Sequence, residues 1–296
     1  MKNNVNGILL LNKPLHLTSN DALQRVKYLF SAKKAGHTGN LDPLATGMLP
    51  ICFGEATKFS QFLLGSDKYY RVTLRLGMKT TTGDGEGDII ETNSTENISQ
   101  EKINKILPKF IGEIFQIPPM FSALKHRGVP LYQLARQGIE VERKSRAIII
   151  YSLQQENYSE DHLSLLVHCS KGTYIRTLAE DIGEALGCGA YVTQLHRVAV
   201  TPYAEKEMHE LSSLEKIQNS TELMKIILPI ETSAQHFPSL KLSASSAFYL
   251  KAGQAIRIPH ALKEGWVRLF LQENFLGIGE ILSDGRLAPR RLVTQA

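Results

Sequence analysis

Two stretches far apart in the chain alternate apolar and polar residues with a period of two. One is Tyr70, Val72, Leu74 and Leu76; the other runs over 191–201. Such alternation gives a strand one covered and one polar face, so each stretch must belong to a sheet. Further strands are predicted over 7–14, stopped by Pro14, and over 48–53, 147–153 and 163–169. Helices are predicted after the capping residues Thr18, Ser19, Asn20 and Asp21, with Leu23, Val26, Leu29 and Phe30 on one face. Others are predicted over 55–64, 96–110, 129–137 and 174–186, the last closed by Gly187 and Gly189. The stretch 33–47 has glycines at 36, 39 and 47 and no period, so it reads as a loop. Strands and helices do not alternate as regular βαβ units. The expected class is therefore α+β, with a mixed or antiparallel sheet. The chain changes character between Pro229 and Pro238; beyond lie a short helix over 243–251 and short strands over 255–258, 267–271, 276–281 and 287–292. We expect two units, 1–235 and a small β-rich module over 236–296.

Several function classes fall away. With 43% hydrophobic and 21% charged residues the chain is neither disordered nor a coiled coil. Its net charge of +5 permits a nucleic-acid partner without establishing one. Cys52, Cys169 and Cys188 are odd in number and far apart, which argues against a disulfide framework or a zinc site. The polar start over 1–6 has no signal-peptide core, and no apolar run is long enough to span a bilayer, so the expected location is cytoplasmic. The acidic turn over 83–88 resembles part of a calcium loop, but Thr95 stands where that loop needs a glutamate. GxSxG, GxxxxGK[ST], HExxH and GxGxxG are all absent, so neither cofactor nor metal is expected.

Two segments could carry chemistry. In the first, Asp42 is a lone carboxylate in a glycine-rich loop, with His37 and Thr38 nearby, and Pro43 biases it away from helical angles. An Asp before Pro commonly satisfies a turn, so the residues leave structural and functional roles both open. In the second, Gly172, Thr173, Tyr174, Ile175 and Arg176 lead from a strand into a helix, with Tyr174 and Arg176 in the first helical turn. A helix start favours anions, and an arginine there can clamp a carboxylate. Tyr70 suits sheet packing as well as ligand stacking. Basic clusters at Lys33-Lys34, Lys125-His126-Arg127, Arg143-Lys144-Arg146 and Arg290-Arg291 would suit a phosphate-tracking groove if they shared a face.

At these residues the chain resembles the bacterial TruB family of tRNA pseudouridine synthases. The likeness runs through Leu11-Asn12-Lys13-Pro14, Gly36-His37-Thr38-Gly39, Leu41-Asp42-Pro43-Leu44-Ala45-Thr46-Gly47 and Gly54-Glu55-Ala56-Thr57-Lys58. It continues through Tyr70-Arg71-Val72, the segment Gln116 to Ala123, Cys169 to Thr177, and Ala288-Pro289-Arg290-Arg291. The resemblance implies a pseudouridine synthase catalytic domain followed by a PUA-like RNA-binding domain. It implies Asp42 as the catalytic carboxylate, paired with Arg176, and Tyr70 stacked on the target base. Tyr174 and Leu195 would complete the uracil pocket, and His37 would hold the flipped loop. The implied activity is isomerisation of the T-loop uridine, tRNA position 55, after base flipping. The implied partner is the tRNA T-arm stem-loop, with no membrane, no obligate protein partner and a monomeric enzyme. A tRNA-folding chaperone or RNA-binding module using the same cleft is the alternative. Two departures stand out: His16 where the family carries glycine, and His196 where a second arginine is common.

Overall fold

The computed structural model describes residues 3–258 and 263–294. Residues 1, 2, 259–262, 295 and 296, which the expected units 1–235 and 236–296 include, lie outside the described residues.

The first apolar run forms strand β1 (Gly7–Lys13), buried on both faces. Leu9 and Leu11 enter the main core, while Ile8 and Leu10 pack in a second cluster with Met48 and Cys52. Two covered faces explain why this run is continuous and not alternating. Burial of each leucine contributes about 2 kcal/mol. Helix α1 (Ser19–Leu29) begins with a capping box: the Thr18 hydroxyl accepts from Asp21 N–H, and the Asp21 carboxylate accepts from Thr18 N–H.

There follow β2 (Ala35–His37), β3 (Ala45–Phe53), α2 (Ser60–Leu64) and β4 (Lys68–Leu76). A small hairpin, β5 (Met78–Thr80) and β6 (Ile89–Thr92), precedes α3 (Gln100–Ile106) and β7 (Gly112–Gln116). A second hairpin, β8 (Lys125–His126) and β9 (Val129–Pro130), leads to α4 (Leu131–Arg136). Then come β10 (Arg146–Ser159), β11 (His162–Cys169), α5 (Ile175–Leu186), β12 (Ala190–Val200) and β13 (His209–Glu210). Helices α6 (Leu211–Leu214) and α7 (Ser220–Lys225) close this part.

Among the described residues the first sheet has nine strands, ordered β13-β1-β3-β12-β4-β11-β10-β7, with β2 paired to β3. It is mixed: β12 runs parallel to β3 and antiparallel to β4. The class is α+β, as expected. Register aligns Lys13 with Gly47, Gly47 with Arg197, and Arg197 with Tyr70, so one row crosses four strands. Gly47 has φ +101°, and a Cβ there would run into the Arg197 backbone; only glycine lets β3 close on β12 at this point.

The second sheet is built from β14 (Ser239–Leu242), β15 (Ile256–Arg257), β16 (Gly265–Leu271), β17 (Asn274–Ile281) and β18 (Arg286–Leu292), ordered β14-β16-β17-β18-β15. Helix α8 (Ala244–Lys251) packs on it. An aromatic cluster joins the two sheets. Phe62 lies 5.5 Å from Trp266 and 5.4 Å from Phe237, and Phe59 lies 5.6 Å from Phe275, ring centre to ring centre. Beside it Thr294 N–H donates to Glu55 Oε2 at 2.6 Å, and Lys58 Nζ donates to Thr294 Oγ1 at 2.8 Å.

Several elements differ from expectation. The helix over 55–64 is broken at Phe59, whose buried ring enters the aromatic cluster; a 3₁₀ turn, Gly54–Lys58, precedes α2. The surface helix over 96–110 begins only at Gln100, where Ser99 caps it, and finishes as a 3₁₀ turn at Leu107–Phe110. The loop over 33–47 contains β2, which backbone pairing to β3 holds with no side-chain period to announce it. Strand β7, hidden between loops, pairs with β10. Tyr174 is the N-cap residue of α5, one position ahead of the first turn.

Candidate active site

The loop carrying Asp42 leaves β2 and returns as β3, and its backbone is tied down from outside. Leu41 N–H donates to Ser19 Oγ at 2.7 Å, and that hydroxyl donates to Leu41 O at 3.1 Å. His16 N–H donates to Pro43 O at 2.9 Å, and Ala45 N–H donates to Asp42 O at 3.0 Å. With these backbone groups satisfied, the Asp42 carboxylate is free to face a ligand.

Arg176, in the first turn of α5, meets it. Gln116 at the end of β7 positions that turn: its Oε1 accepts from Tyr174 N–H at 3.1 Å, and its Nε2 donates to Tyr174 O at 3.3 Å. Arg176 Nε then donates to Asp42 Oδ2 at 2.9 Å. Its Nη1 donates to Thr82 O at 2.9 Å, and Nη2 donates to Phe121 O at 2.7 Å. Asp84 Oδ2 lies 3.6 Å from the same Nε. Asp84 is held in turn by the Thr82 hydroxyl at 2.5 Å and Glu86 N–H at 3.1 Å. One guanidinium thus ties together the Asp42 loop, the acidic turn and the segment after β7.

These groups border a cavity of about 350 Å³, lined by Asp42, Tyr70, Tyr174, Arg176 and Leu195 among others. The volume is of the order that small-ligand sites occupy. The structure therefore brings together five of the six residues singled out from the sequence. His37 does not line the cavity, although its neighbour Thr38 does. The acidic turn over 83–88 delivers Asp84 to an arginine.

Electrostatics follow from burial. The Asp42 side chain is 38% exposed, yet so much protein surrounds it that desolvation raises its carboxyl above the ordinary range. Arg176 opposes that rise and Asp84 adds to it. Lys13, wholly buried, donates to Leu17 O at 2.6 Å and Pro14 O at 2.8 Å. Desolvation lowers it to about 8, against the pull of Asp42. Lys68 also lines the cavity, donates to the carbonyls of Leu64 and Ser66, and is lowered to about 8 for the same reason. Burial pushes the Tyr70 and Tyr174 hydroxyls up and the His37 imidazole down.

Comparison with known proteins bears on this geometry. Residues 27–175 match the family described as TruB family pseudouridylate synthase, N-terminal domain. Residues 176–235 match the tRNA pseudouridylate synthase B C-terminal domain, and 238–293 match the C-terminal region of pseudouridine synthase II TruB. The chain is 57% identical over 296 residues to tRNA pseudouridine synthase B of Coxiella burnetii strain Dugway 5J108-111, covering 99% of this chain and 96% of that one. This chain belongs to the TruB family. It is also 51% identical to the protein of the same name from Tolumonas auensis, covering 98% of this chain and 92% of that one. In fold it resembles the solved structure of a Cbf5-Nop10-Gar1 complex, with a TM-score of 0.74 and 24% identity over 98% of this chain and 84% of that one.

Within this TruB-family chain, reasoning on residue types overlooked four charged groups near Asp42: Lys13, Lys68, Asp84 and Arg197. Each is a common surface residue type, and only Lys13, beside a proline at the end of an apolar run, carried a local hint. His196, the departure noted above, is engaged: its Nδ1 lies 2.8 Å from Thr46 Oγ1 and its Nε2 lies 3.6 Å from Glu205. Of the basic clusters, Arg290 is paired to Glu280 at 2.6 Å and Arg143 to Glu140 at 2.8 Å, so neither is a free phosphate contact.

Proposed function

We propose that this chain isomerises the T-loop uridine of tRNA, position 55, to pseudouridine, with Asp42 as the acting carboxylate. The observation that carries the reading is the 2.9 Å pair of Asp42 with Arg176 at the edge of a cavity of about 350 Å³. The family and the names of relatives at 51–57% identity support the same substrate and reaction.

Pseudouridine formation breaks the bond between C1′ and N1 of uracil, turns the ring and joins C5 to C1′. No electrons are gained or lost overall, so the reaction requires no redox partner. The target uridine must first leave its stack, which costs a few kcal/mol, recovered from contacts in the pocket and along the RNA backbone. Asp42 then attacks the sugar or the base as a nucleophile, or removes a sugar proton; each role requires the ionised form. Arg176 maintains that form and aims it. Tyr70 stacks on the flipped base, and Tyr174 and Leu195 close the pocket. His37, on β2 just outside the cavity, holds the opened RNA loop.

The same reading divides the chain into a catalytic unit, 1–235, and a PUA-like RNA-binding unit, 236–296. Separate sheets and separate apolar cores support that division. We read the enzyme as a monomer working in the cytoplasm on the tRNA T-arm, without an obligate protein partner. Among the described residues no helix is long and apolar enough to cross a membrane.

The test is incubation with an unmodified T-arm stem-loop. A pseudouridine-selective reagent should mark the target position while the RNA mass stays unchanged. Asp42→Asn should abolish turnover and leave binding within about tenfold, because the swap is isosteric. Full turnover by Asp42→Asn would remove the carboxylate from the mechanism and leave a non-catalytic RNA-binding or tRNA-folding role. Release of free uracil would instead mark a nucleosidase.

A further inference from the structure

The row Lys13–Gly47–Arg197–Tyr70 includes a cation, Arg197, that the mechanism above does not use. Arg197 is 1% exposed and lines the cavity. Its Nε donates to Met48 O at 2.6 Å, and its Nη1 reaches Asn40 O at 3.5 Å. Its Nη2 is enclosed without a close hydrogen-bond partner, and the Tyr70 hydroxyl is the side-chain group that Arg197 engages most directly. A buried guanidinium nitrogen left unpartnered is costly, and native proteins seldom tolerate it without use. No carboxylate pairs with Arg197 among the described residues, whereas Arg176 has Asp42 and Asp84. Lys13 and Lys68 stand close enough for each to feel its charge. Asp42 and Asp84 face Arg176, Glu86 faces Lys13 and Asp67 faces Lys68, which leaves Arg197 as the cation of this group without a carboxylate of its own among the described residues. An unpaired guanidinium at the cavity wall suits a group that becomes negative during the reaction.

The proposed reaction makes one such group. When the bond between C1′ and N1 breaks, its electron pair stays on the ring, giving a uracil anion whose charge spreads to O2 and O4. The C1′ centre is meanwhile taken by Asp42, or stabilised by loss of a sugar proton to it. When C5 joins C1′ the pair is returned; the bond from Asp42 to C1′ then breaks, or the proton Asp42 took goes back to the sugar, and the C5 proton is replaced by one on N1, so the product has the composition of the substrate. We propose that the Arg197 guanidinium donates to a carbonyl oxygen of this anion and stabilises the ring while it is detached. Preorganised donors of this kind, in a site closed to water, are commonly worth about 10²–10³ in rate. Arg197 is held on β12 between β3 and β4, which fixes its backbone as charge develops. Tyr70, its neighbour in the row, keeps the ring over the same floor.

This inference rests on the isomerase reading, and the experiment separates the two. Single-turnover consumption of the N-linked target nucleoside is followed in T-arm RNA carrying either uridine or 5-fluorouridine at that position. Fluorine withdraws electrons, so 5-fluorouracil leaves as a more stable anion and needs less help. If the unaltered chain forms no pseudouridine from the uridine RNA, the isomerase reading itself fails. Given an active chain, Arg197→Met should slow the uridine RNA about 100-fold and the fluorinated RNA about tenfold or less, with binding of both within about threefold. Arg197→Lys keeps the charge and serves if the methionine variant does not fold; its loss should be smaller and again confined mainly to uridine. Equal losses on both RNAs, or a loss expressed wholly in binding, would overturn the assignment, since a structural role for Arg197 does not sense the leaving group.

Discussion

At the scale of single residues, the pair Asp42 and Arg176 is decisive, and it lends itself to a pH test. In the proposed reaction Asp42 acts as a carboxylate, and burial raises its pKa above the usual range. Activity should therefore fall as pH drops through that raised value, giving an acid limb in kcat/KM above the ordinary aspartate region. Arg176 opposes the rise, so Arg176→Gln should move the limb to still higher pH as well as lower the plateau; a pH–rate profile of both proteins checks this. An acid limb that stays in place in the variant would show that the guanidinium does not set the charge state of Asp42. Asp42 was a candidate in the sequence through its glycine-rich loop and the proline after it, and the family resemblance gave it a role. Arg197 and Lys68 were not, because an arginine or lysine within a strand looks the same whether it faces water or a cavity.

At the scale of elements, the site depends on how closely β3 and β12 approach. Gly47→Ala would place a Cβ against the Arg197 backbone at a φ of +101°. Destabilisation by about 2 kcal/mol or more is expected, read as a lower urea midpoint. Gln116 bridges the start of α5 through both N–H and C=O of Tyr174. Gln116→Ala should cost about 1 kcal/mol of stability and slow turnover further by loosening Tyr174 and Arg176; unchanged kinetics would show that the helix start is placed by other contacts. Strands with one covered face, such as β4, were legible from their alternation, and so was β1 from its unbroken apolar run. β2 and β7 were not: they are held by backbone pairing to β3 and β10, which leaves no side-chain pattern. The broken helix at Phe59 is a tertiary choice, since burying an aromatic ring between sheets outweighs one more helical turn.

At the scale of the whole molecule, the two sheets are coupled by aromatic packing and by the hydrogen bonds of Glu55 and Lys58 to Thr294. Phe62→Ala should remove about 3 kcal/mol from that junction and separate the melting of the two units, visible as a second calorimetric transition. A single unchanged transition would mean that the junction does not bind the units together. tRNA binding should weaken steeply with salt, by phosphate neutralisation, with the logarithm of affinity falling linearly in the logarithm of salt; a flat response would contradict a backbone-tracking surface. Local pattern alone determined most strands, the α+β class, the change of character before Pro238 and the loop that carries Asp42, because period, proline and glycine act over a few neighbouring residues. The meeting of Asp42 with Arg176 was implied by the family resemblance and not by local pattern, and only the tertiary structure decided that Asp84 backs it and that Lys13 and Arg197 share a row with Tyr70. Those meetings arise from strand order and register, which bring distant segments side by side and leave no trace in the spacing along the chain.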